Sequence, residues 1–118
     1  MIDKNTIDRT ALEKQALIFI DFLKNDAFFE AHEALEEIWF PLRFEKSDEV
    51  RFIRACINAA VSFELVKRGR AQASKKPWGF YEKHLYLFDT VNPAHETIYQ
   101  NICDTIELIS NQLKEPLV

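Results

Sequence analysis

The chain has 118 residues, and we expect residues 1–118 to form a single domain around one core. Hydrophobic residues make up 47% of the sequence and charged residues 29%, which argues against a chain that is disordered as a whole. With 2 glycines and 4 prolines, glycine-rich phosphate loops and turn-dense β-sandwiches are poor candidates. The formal net charge of −4 argues against a surface that binds nucleic acid over its whole extent.

The sequence contains no pattern that indicates export or a membrane. Residues 1–6 lack the basic start, apolar stretch and small-residue cleavage site of a signal peptide. The uncharged stretch at 55–63 is far shorter than the roughly 20 apolar residues that span a bilayer. We therefore expect a cytoplasmic protein without a membrane partner. Because Cys56 and Cys103 lack the CxxC spacing, we expect two buried thiols and neither a disulfide nor a zinc site.

Apolar residues recur at the helical period and predict an all-α fold, a compact bundle of about five helices. The first predicted helix covers about 10–25, and its start at Thr10 matches the pattern of a capping box. The second covers about 27–40. We expect Pro41 to stop or bend this helix, since proline lacks the amide hydrogen and clashes with the preceding turn.

The third predicted helix follows Ser47 as its N-cap, runs to Arg68 and stops at Gly69. It is apolar on most of its circumference, which predicts a central position in the bundle. The basic stretch 70–76 is expected as a short helix or a loop, and a fourth helix as 77–89. The last predicted helix begins at the Asn92-Pro93 pair, where the asparagine caps and the proline takes the first helical position.

The second helix carries the side chains that are best suited to catalysis or metal binding. His32 and Glu36 are one turn apart and lie within an arc of apolar residues, whereas Glu33 falls on the opposite, solvated side. A buried polar group without a partner costs about 1–3 kcal/mol, so this histidine and carboxylate need partners. We expect Arg54 and Asn58 of the third helix to approach Glu36. The result would be a polar cluster that joins two helices.

Three interpretations of this cluster stay open. In the first, the cluster is structural and needs no ligand. In the second, His84 or Glu64 adds a third ligand to His32 and Glu36, because imidazole and carboxylate groups suit several divalent metals. In the third, Glu36 orients His32 for acid–base catalysis beside neighbouring aromatic rings. The sequence identifies no cofactor and no metal for either of the last two.

A cluster of basic residues lies between the third and fourth helices. Trp78 follows it and offers a face on which a base or an anionic ligand can stack. The cluster predicts anion or nucleic-acid binding as a further alternative, and the acidic net charge makes nucleic acid the less favoured ligand. Its members are Lys67, Arg68, Arg70, Lys75 and Lys76.

The second helix, with the sequence FEAHEALEEIW at 29–39, resembles the FEaHExLExxW helix of DUF309, a family of domains of unknown function. A second block, INAA at 57–60 followed by the KRG turn at 67–69, is similar to the family's alanine-rich helix. The resemblance covers about 26–90. The chain differs from the expected family pattern at Asn58 and Glu64, where glutamine and histidine are expected, and in the segment 77–79.

The resemblance implies a small all-helical protein and no particular reaction, substrate or cofactor. It also implies that His32, Glu33, Glu36 and Trp39 are the motif positions of this chain. A family of unknown function leaves the chemistry of those positions open.

From these observations we expect a binding or interaction module. An aromatic groove formed by Phe29, Trp39 and Phe40 beside Pro41 would contact a partner, and a homo-oligomer is one candidate state. A small enzyme or metal-binding protein that uses the histidine and carboxylate cluster is the alternative.

Overall fold

The computed structural model describes residues 7–113. The all-α class and the five predicted helices are confirmed, and no strand occurs between residues 7 and 113. No helix in this range has the length and hydropathy needed to cross a membrane. The bounds are α1 Arg9–Lys24, α2 Phe28–Leu42, α3 Asp48–Lys67, α4 Ala71–His84 and α5 Glu96–Gln112, with 3₁₀ helices at Leu85–Thr90 and Pro93–His95.

Helix α3 is the central element, as its sequence predicts. It contacts α2, α4, α5 and the Leu85–Thr90 3₁₀ helix, while α1 packs against α2 and α5. Half of its 20 residues are buried, on several sides of the helix. Ser62, which the helical wheel assigns to a polar strip, is among them and donates its hydroxyl to the carbonyl oxygen of Ala59 at 2.6 Å.

Aromatic rings connect α3 to its neighbours through the core. Phe28 of α2, Phe63 of α3 and Trp78 of α4 form a row with ring centroids 5.6 and 5.8 Å apart. Phe52 of α3 meets Tyr99 of α5 edge to face at 5.3 Å. Such aromatic pairs contribute about 0.5–1.5 kcal/mol each beyond the area that they bury. They therefore help to set which side of each outer helix faces α3.

The N-cap of α1 differs from the predicted one. Thr10 is already helical, and Asp8 is the cap, with a carboxylate that accepts from the N–H of Ala11 at 2.8 Å. Aspartate is among the preferred caps, and its charge also interacts favourably with the positive end of the helix dipole. The N-cap predicted for α3 is confirmed, since the Ser47 hydroxyl accepts from the N–H of Val50 at 3.4 Å.

Pro41 does not stop α2, which continues to Leu42. The proline removes the hydrogen bond that its N–H would donate to the carbonyl of Glu37. Glu37 is an exposed residue near the end of the helix, so water can take the place of this bond. The stop that the sequence predicts at Pro41 is therefore wrong, because the proline lies in the last turn of the helix.

Helix α4 begins earlier and ends earlier than predicted. The basic stretch 70–76 is helical from Ala71, and the helix continues through Pro77. It ends at His84 instead of near Asp89, because the chain tightens into 3₁₀ turns. The end of α3 agrees with its prediction, since Gly69 adopts a φ of +77°, which glycine reaches without steric cost.

The two candidate caps of α1 give a direct test of this structure. Asp8→Ala is expected to lower the free energy of unfolding by about 1 kcal/mol, because it leaves the N–H of Ala11 without its partner. Thr10→Ala, at an exposed helical position, should change it by less than about 0.5 kcal/mol. Urea unfolding followed by circular dichroism measures both. A larger loss for Thr10→Ala than for Asp8→Ala would contradict the observed cap.

Candidate functional site

The outer side of α2 carries a row of four carboxylates, here called the acidic face: Glu30, Glu33, Glu36 and Glu37. They lie outward because the opposite side of the helix is buried through Phe28, Ala31, Ala34 and Leu35. Within residues 7–113, no cationic group is within ion-pair distance of Glu30, Glu33 or Glu37. The acidic face therefore presents concentrated negative charge to the solvent.

His32 and Glu36 lie at the border between the acidic face and the core. The Nδ1–H of His32 donates to the carbonyl oxygen of Phe29, and its Nε2 is 3.4 Å from a carboxylate oxygen of Glu36. The two side chains are 18% and 40% exposed. These partners all belong to α2, so this pair orders one helix surface and does not join α2 to α3 as expected.

The other residues expected in this cluster lie around Phe80 of α4. The guanidinium of Arg54 stands 4.9 Å from the centroid of the Phe80 ring, and the side-chain amide of Asn58 donates to the Arg54 carbonyl. His84 is buried, donates from Nδ1 to the Phe80 carbonyl at 2.7 Å and stacks on the same ring. Arg54, Asn58 and His84 therefore stabilise α3 and α4, and none of them hydrogen bonds to Glu36.

The structure does not bring a third metal ligand to His32 and Glu36. Across the described range there is no group of three or more histidine, cysteine, aspartate or glutamate residues arranged to hold a metal ion. Glu64, one of the two expected ligands, instead pairs with Arg68 at 2.5 Å. The geometry thus gives the metal interpretation no support.

The acidic face ends in exposed aromatic rings at the C-terminal end of α2. Phe40 is 56% exposed and Phe44 is 84% exposed, and the guanidinium of Arg43 stands over both rings at 3.6 and 4.5 Å from their centroids. We call Phe40, Arg43 and Phe44 the aromatic end. Trp39, which the sequence places in the same groove, packs against the core. Sequence analysis missed Phe44, because it follows the predicted helix.

A groove of about 460 Å³ connects the acidic face to the aromatic end, lined by Glu33, Glu36, Glu37, Phe40 and Pro41. A second groove of about 300 Å³ runs between α1 and α2 on the other side of the acidic face. Apolar side chains of α1, Ile18 and Phe22, line this second groove. The carboxylates are therefore bordered by apolar surface on two sides.

The fold divides the basic cluster. Lys67 donates to the carbonyl oxygen of Asp26 at 2.7 Å, and Arg68 is paired with Glu64. Two of the five cations thus hold the end of α3 in place. The other three are exposed, with Arg70 at the start of α4 and Lys75 and Lys76 on its first half.

Sequence analysis missed a buried polar network between the first turn of α3 and the start of α5. The carboxylate of Glu49 accepts from the Tyr99 hydroxyl at 2.7 Å, from Nδ1–H of His95 at 2.6 Å and from the backbone N–H of Asn92 at 3.0 Å. The available signal was the spacing of His95, at the N-cap of α5, and Tyr99, which is one turn later on the buried side of that helix. This network fastens α5 to α3.

Removing one donor should measure the strength of this network. Tyr99→Phe keeps the ring in the core and deletes its bond to the Glu49 carboxylate, and hydrogen bonds to charged groups contribute about 1.5–3 kcal/mol. We expect a loss of stability in that range, measured by urea unfolding at pH 7. Tyr86→Phe, at an exposed tyrosine, is the matched control and should be neutral. Equal effects of the two variants would argue against the network.

The same variant should change the pH dependence of stability. Burial, followed by the nearby Glu49 carboxylate, raises the pKa of Tyr99 well above its ordinary value of 10.0. The unfolded chain therefore releases this proton at lower pH than the folded chain, and stability falls as the pH rises above about 10, by up to about 1.4 kcal/mol per pH unit. Tyr99→Phe should show a shallower fall between pH 10 and 11 than the wild type, while Tyr86→Phe keeps the wild-type slope.

Comparison with known proteins places this arrangement in a family. The family profile described as Domain of unknown function (DUF309) matches residues 17–76, which is half of the chain. The match begins earlier than the 26–90 expected from the sequence motifs and ends before Pro77, and it includes all of α2 and α3. No curated protein and no solved structure matches the chain significantly. The chain belongs to the DUF309 family.

Proposed function

We propose that this protein is an interaction module whose acidic face binds a cationic segment of a partner protein. The observation that carries the proposal is the row of carboxylates on α2, of which Glu30, Glu33 and Glu37 have no cationic partner within residues 7–113. A charged row of this kind favours a ligand of opposite charge and accelerates its association.

The surroundings of the acidic face support a partner with apolar as well as cationic side chains. Phe40 and Phe44 are exposed at one end, and Ile18 and Phe22 line the groove along one side. Aromatic residues are enriched in protein interfaces, and exposed apolar surface next to charge is typical of them. The aliphatic stems of lysine and arginine can pack on such rings while their charged ends reach the carboxylates.

The shape of the surface favours a protein segment over a small molecule. The groove at the aromatic end is lined entirely by side chains of α2, so it has no opposing wall formed by another helix. Small-molecule sites are concave and enclose most of their ligand. An extended or helical segment, which needs a long surface and not an enclosed cavity, suits this face better. His32 contributes by holding Glu36 at the edge of the row.

The enzymatic alternative has less to support it. His32 and Glu36 make one contact at 3.4 Å, and within residues 7–113 the pair has one further hydrogen bond, from His32 to the backbone carbonyl of Phe29 in the same helix. A catalytic site needs further groups that bind and orient a substrate beside the proton-transfer group. We therefore do not propose a reaction for this pair.

Two peptides of opposite charge and two charge-reversal variants of the protein test the proposed interface. The probe is a fluorescent amphipathic peptide made of lysine and leucine, and its glutamate–leucine counterpart is the negative control. Glu33→Lys/Glu37→Lys reverses two charges of the acidic face. Glu13→Lys/Glu107→Lys makes the same change in net charge at exposed positions of α1 and α5. Binding is followed by fluorescence anisotropy at low and high salt.

We expect the lysine–leucine peptide to bind the wild type, with an affinity that falls as salt rises. The α2 variant should bind it at least about tenfold more weakly, a loss typical of truncated interface contacts, and the α1/α5 variant should bind it normally. Equal weakening in both variants would mean that net charge alone attracts the peptide, and the proposed interface would be rejected.

Self-association is a separate outcome of the same experiment. Lys75 and Lys76 of a second copy could occupy the acidic face, since both are exposed on α4. Light scattering of the wild type over a range of concentrations would then show an oligomer that the α2 variant abolishes. That result would replace the foreign partner by a second copy of this chain.

A further inference from the structure

A groove of about 340 Å³ between α4 and α5 contains a cysteine. Cys103 of α5 is a free thiol and partly exposed, which corrects the expectation that both thiols are buried. The lining of this groove includes Trp78, Tyr81 and Leu85 as well as three carboxylates. Cys103 is therefore part of a surface that a small molecule can contact.

Two buried groups lie near Cys103. The rings of Phe52 on α3 and Tyr99 on α5 meet at a centroid distance of 5.3 Å, and Cys56 and Cys103 follow these two residues by one turn on the same helices. Cys56 is fully buried on α3, and Tyr81 of α4 is almost fully buried. Hydrogen bonding from the Cys56 thiol and, to a lesser extent, from Tyr81 lowers the pKa of the Cys103 thiol, although its partial burial acts in the opposite direction. Burial raises the pKa of Cys56 well above its ordinary value. The pKa of the partly exposed thiol therefore lies below that of the enclosed one.

From the groove, the partly exposed Cys103 that lines it and the buried Cys56 on the neighbouring helix, we propose that Cys103 is an oxidation site. It reduces a small hydroperoxide and then forms a disulfide with Cys56. The reaction goes beyond the proposed interface on α2 and does not depend on it.

The reaction has two balanced steps. In the first, the Cys103 thiolate attacks one oxygen of the hydroperoxide. The O–O bond breaks, an S–O bond forms, and the leaving oxygen takes a proton to become an alcohol or water. In the second, the Cys56 sulfur attacks the sulfur of the Cys103 sulfenic acid. The S–O bond breaks, the S–S bond forms, and hydroxide leaves as water with the Cys56 proton. The two thiols supply the two electrons that reduce the peroxide.

The lining of the groove favours a small, uncharged oxidant. Three of its residues, Glu82, Asp104 and Glu107, carry carboxylates, and these repel anionic reagents. Trp78 and Leu85 add apolar surface. Hydrogen peroxide and short alkyl hydroperoxides are neutral and fit these conditions, whereas an anionic disulfide such as oxidised glutathione does not.

Mass spectrometry of the full-length reduced protein tests the proposal. After one equivalent of hydrogen peroxide, the intact protein should lose the mass of two hydrogen atoms, and a non-reduced digest should contain one peptide pair that joins Cys56 to Cys103. In Cys56→Ala, dimedone should trap a sulfenic acid on Cys103. In Cys103→Ser, Cys56 should stay reduced. A wild type that forms neither this disulfide nor a dimedone adduct would overturn the proposal, as would a disulfide only between two chains.

A milder pair of variants keeps the test decisive if the cysteine variants fail to fold. Tyr81→Phe preserves the ring and removes the hydroxyl that helps to lower the pKa of the Cys103 thiol. The alkylation of Cys103 by iodoacetamide at pH 7 should slow by about threefold to tenfold, as expected from the loss of one hydrogen bond to a thiolate. Tyr86→Phe, at an exposed tyrosine, should leave the rate unchanged. Equal rates in the wild type and both variants would show that the Tyr81 hydroxyl does not activate Cys103, and a folded wild type in which iodoacetamide does not alkylate Cys103 would overturn the proposal.

Discussion

The structure depends on the need to cover α3 on almost every side. Its buried residues include bulky rings such as Phe52 and Phe63 and small residues such as Ala55 and Ala59. Burying one large apolar side chain contributes about 1.5–3 kcal/mol, so leaving any side of this helix in water would cost much of the stability of a small protein. The small residues let neighbouring helices approach closely. The positions of α2, α4 and α5 are consequences of this requirement.

The covering of α3 also determines what remains available on α2. The inner side of α2 is fully used, since Phe28 packs on Phe63 and Ala31 and Leu35 are buried. Its outer side makes no comparable contacts with the core, yet it carries four carboxylates. The exposed rings of Phe40 and Phe44 lie at its C-terminal end and just beyond it. Substitutions on the outer side of α2 can therefore change a binding surface without disturbing the packing of its inner side. This separation of a buried side from an exposed side supports our assignment of the interaction surface to α2.

Helix α5 is attached to α3 by contacts of another kind. At one point the Glu49 carboxylate accepts from three donors at the start of α5 and in the turn before it, and further along the two helices Cys103 lies near the buried Cys56. Between them, Phe52 packs edge to face against Tyr99. Polar contacts inside a core are specific to one arrangement, because each unmatched partner would carry a desolvation penalty. They help to define the register of α5 against α3, which also places Cys103 in the groove between α4 and α5.

Much of this protein follows from its sequence alone, because helices depend on local periodicity and local caps. The burial of Leu12, Ala16, Phe19 and Leu23, the Ser47 cap and the Gly69 stop are all readable in a short window of residues. The FEAHEALEEIW helix was also enough to identify the family. Local sequence signals gave a wrong prediction for the N-cap of α1 and for the end of α2, where more than one outcome was compatible with the residues. Asp8 and Thr10 both suit a cap, and proline tolerance depends on whether water can reach the freed carbonyl.

Only the tertiary structure decided which polar residues meet. Arg54 and His84 turn toward Phe80 and not toward Glu36, because the direction of a side chain depends on how two distant helices are rotated against each other. The same holds for Glu49 and His95, which are 46 residues apart, and for the two cysteines. Helix periodicity specifies that a side chain is buried. Its partner is set by packing across the core, which no short stretch of sequence contains.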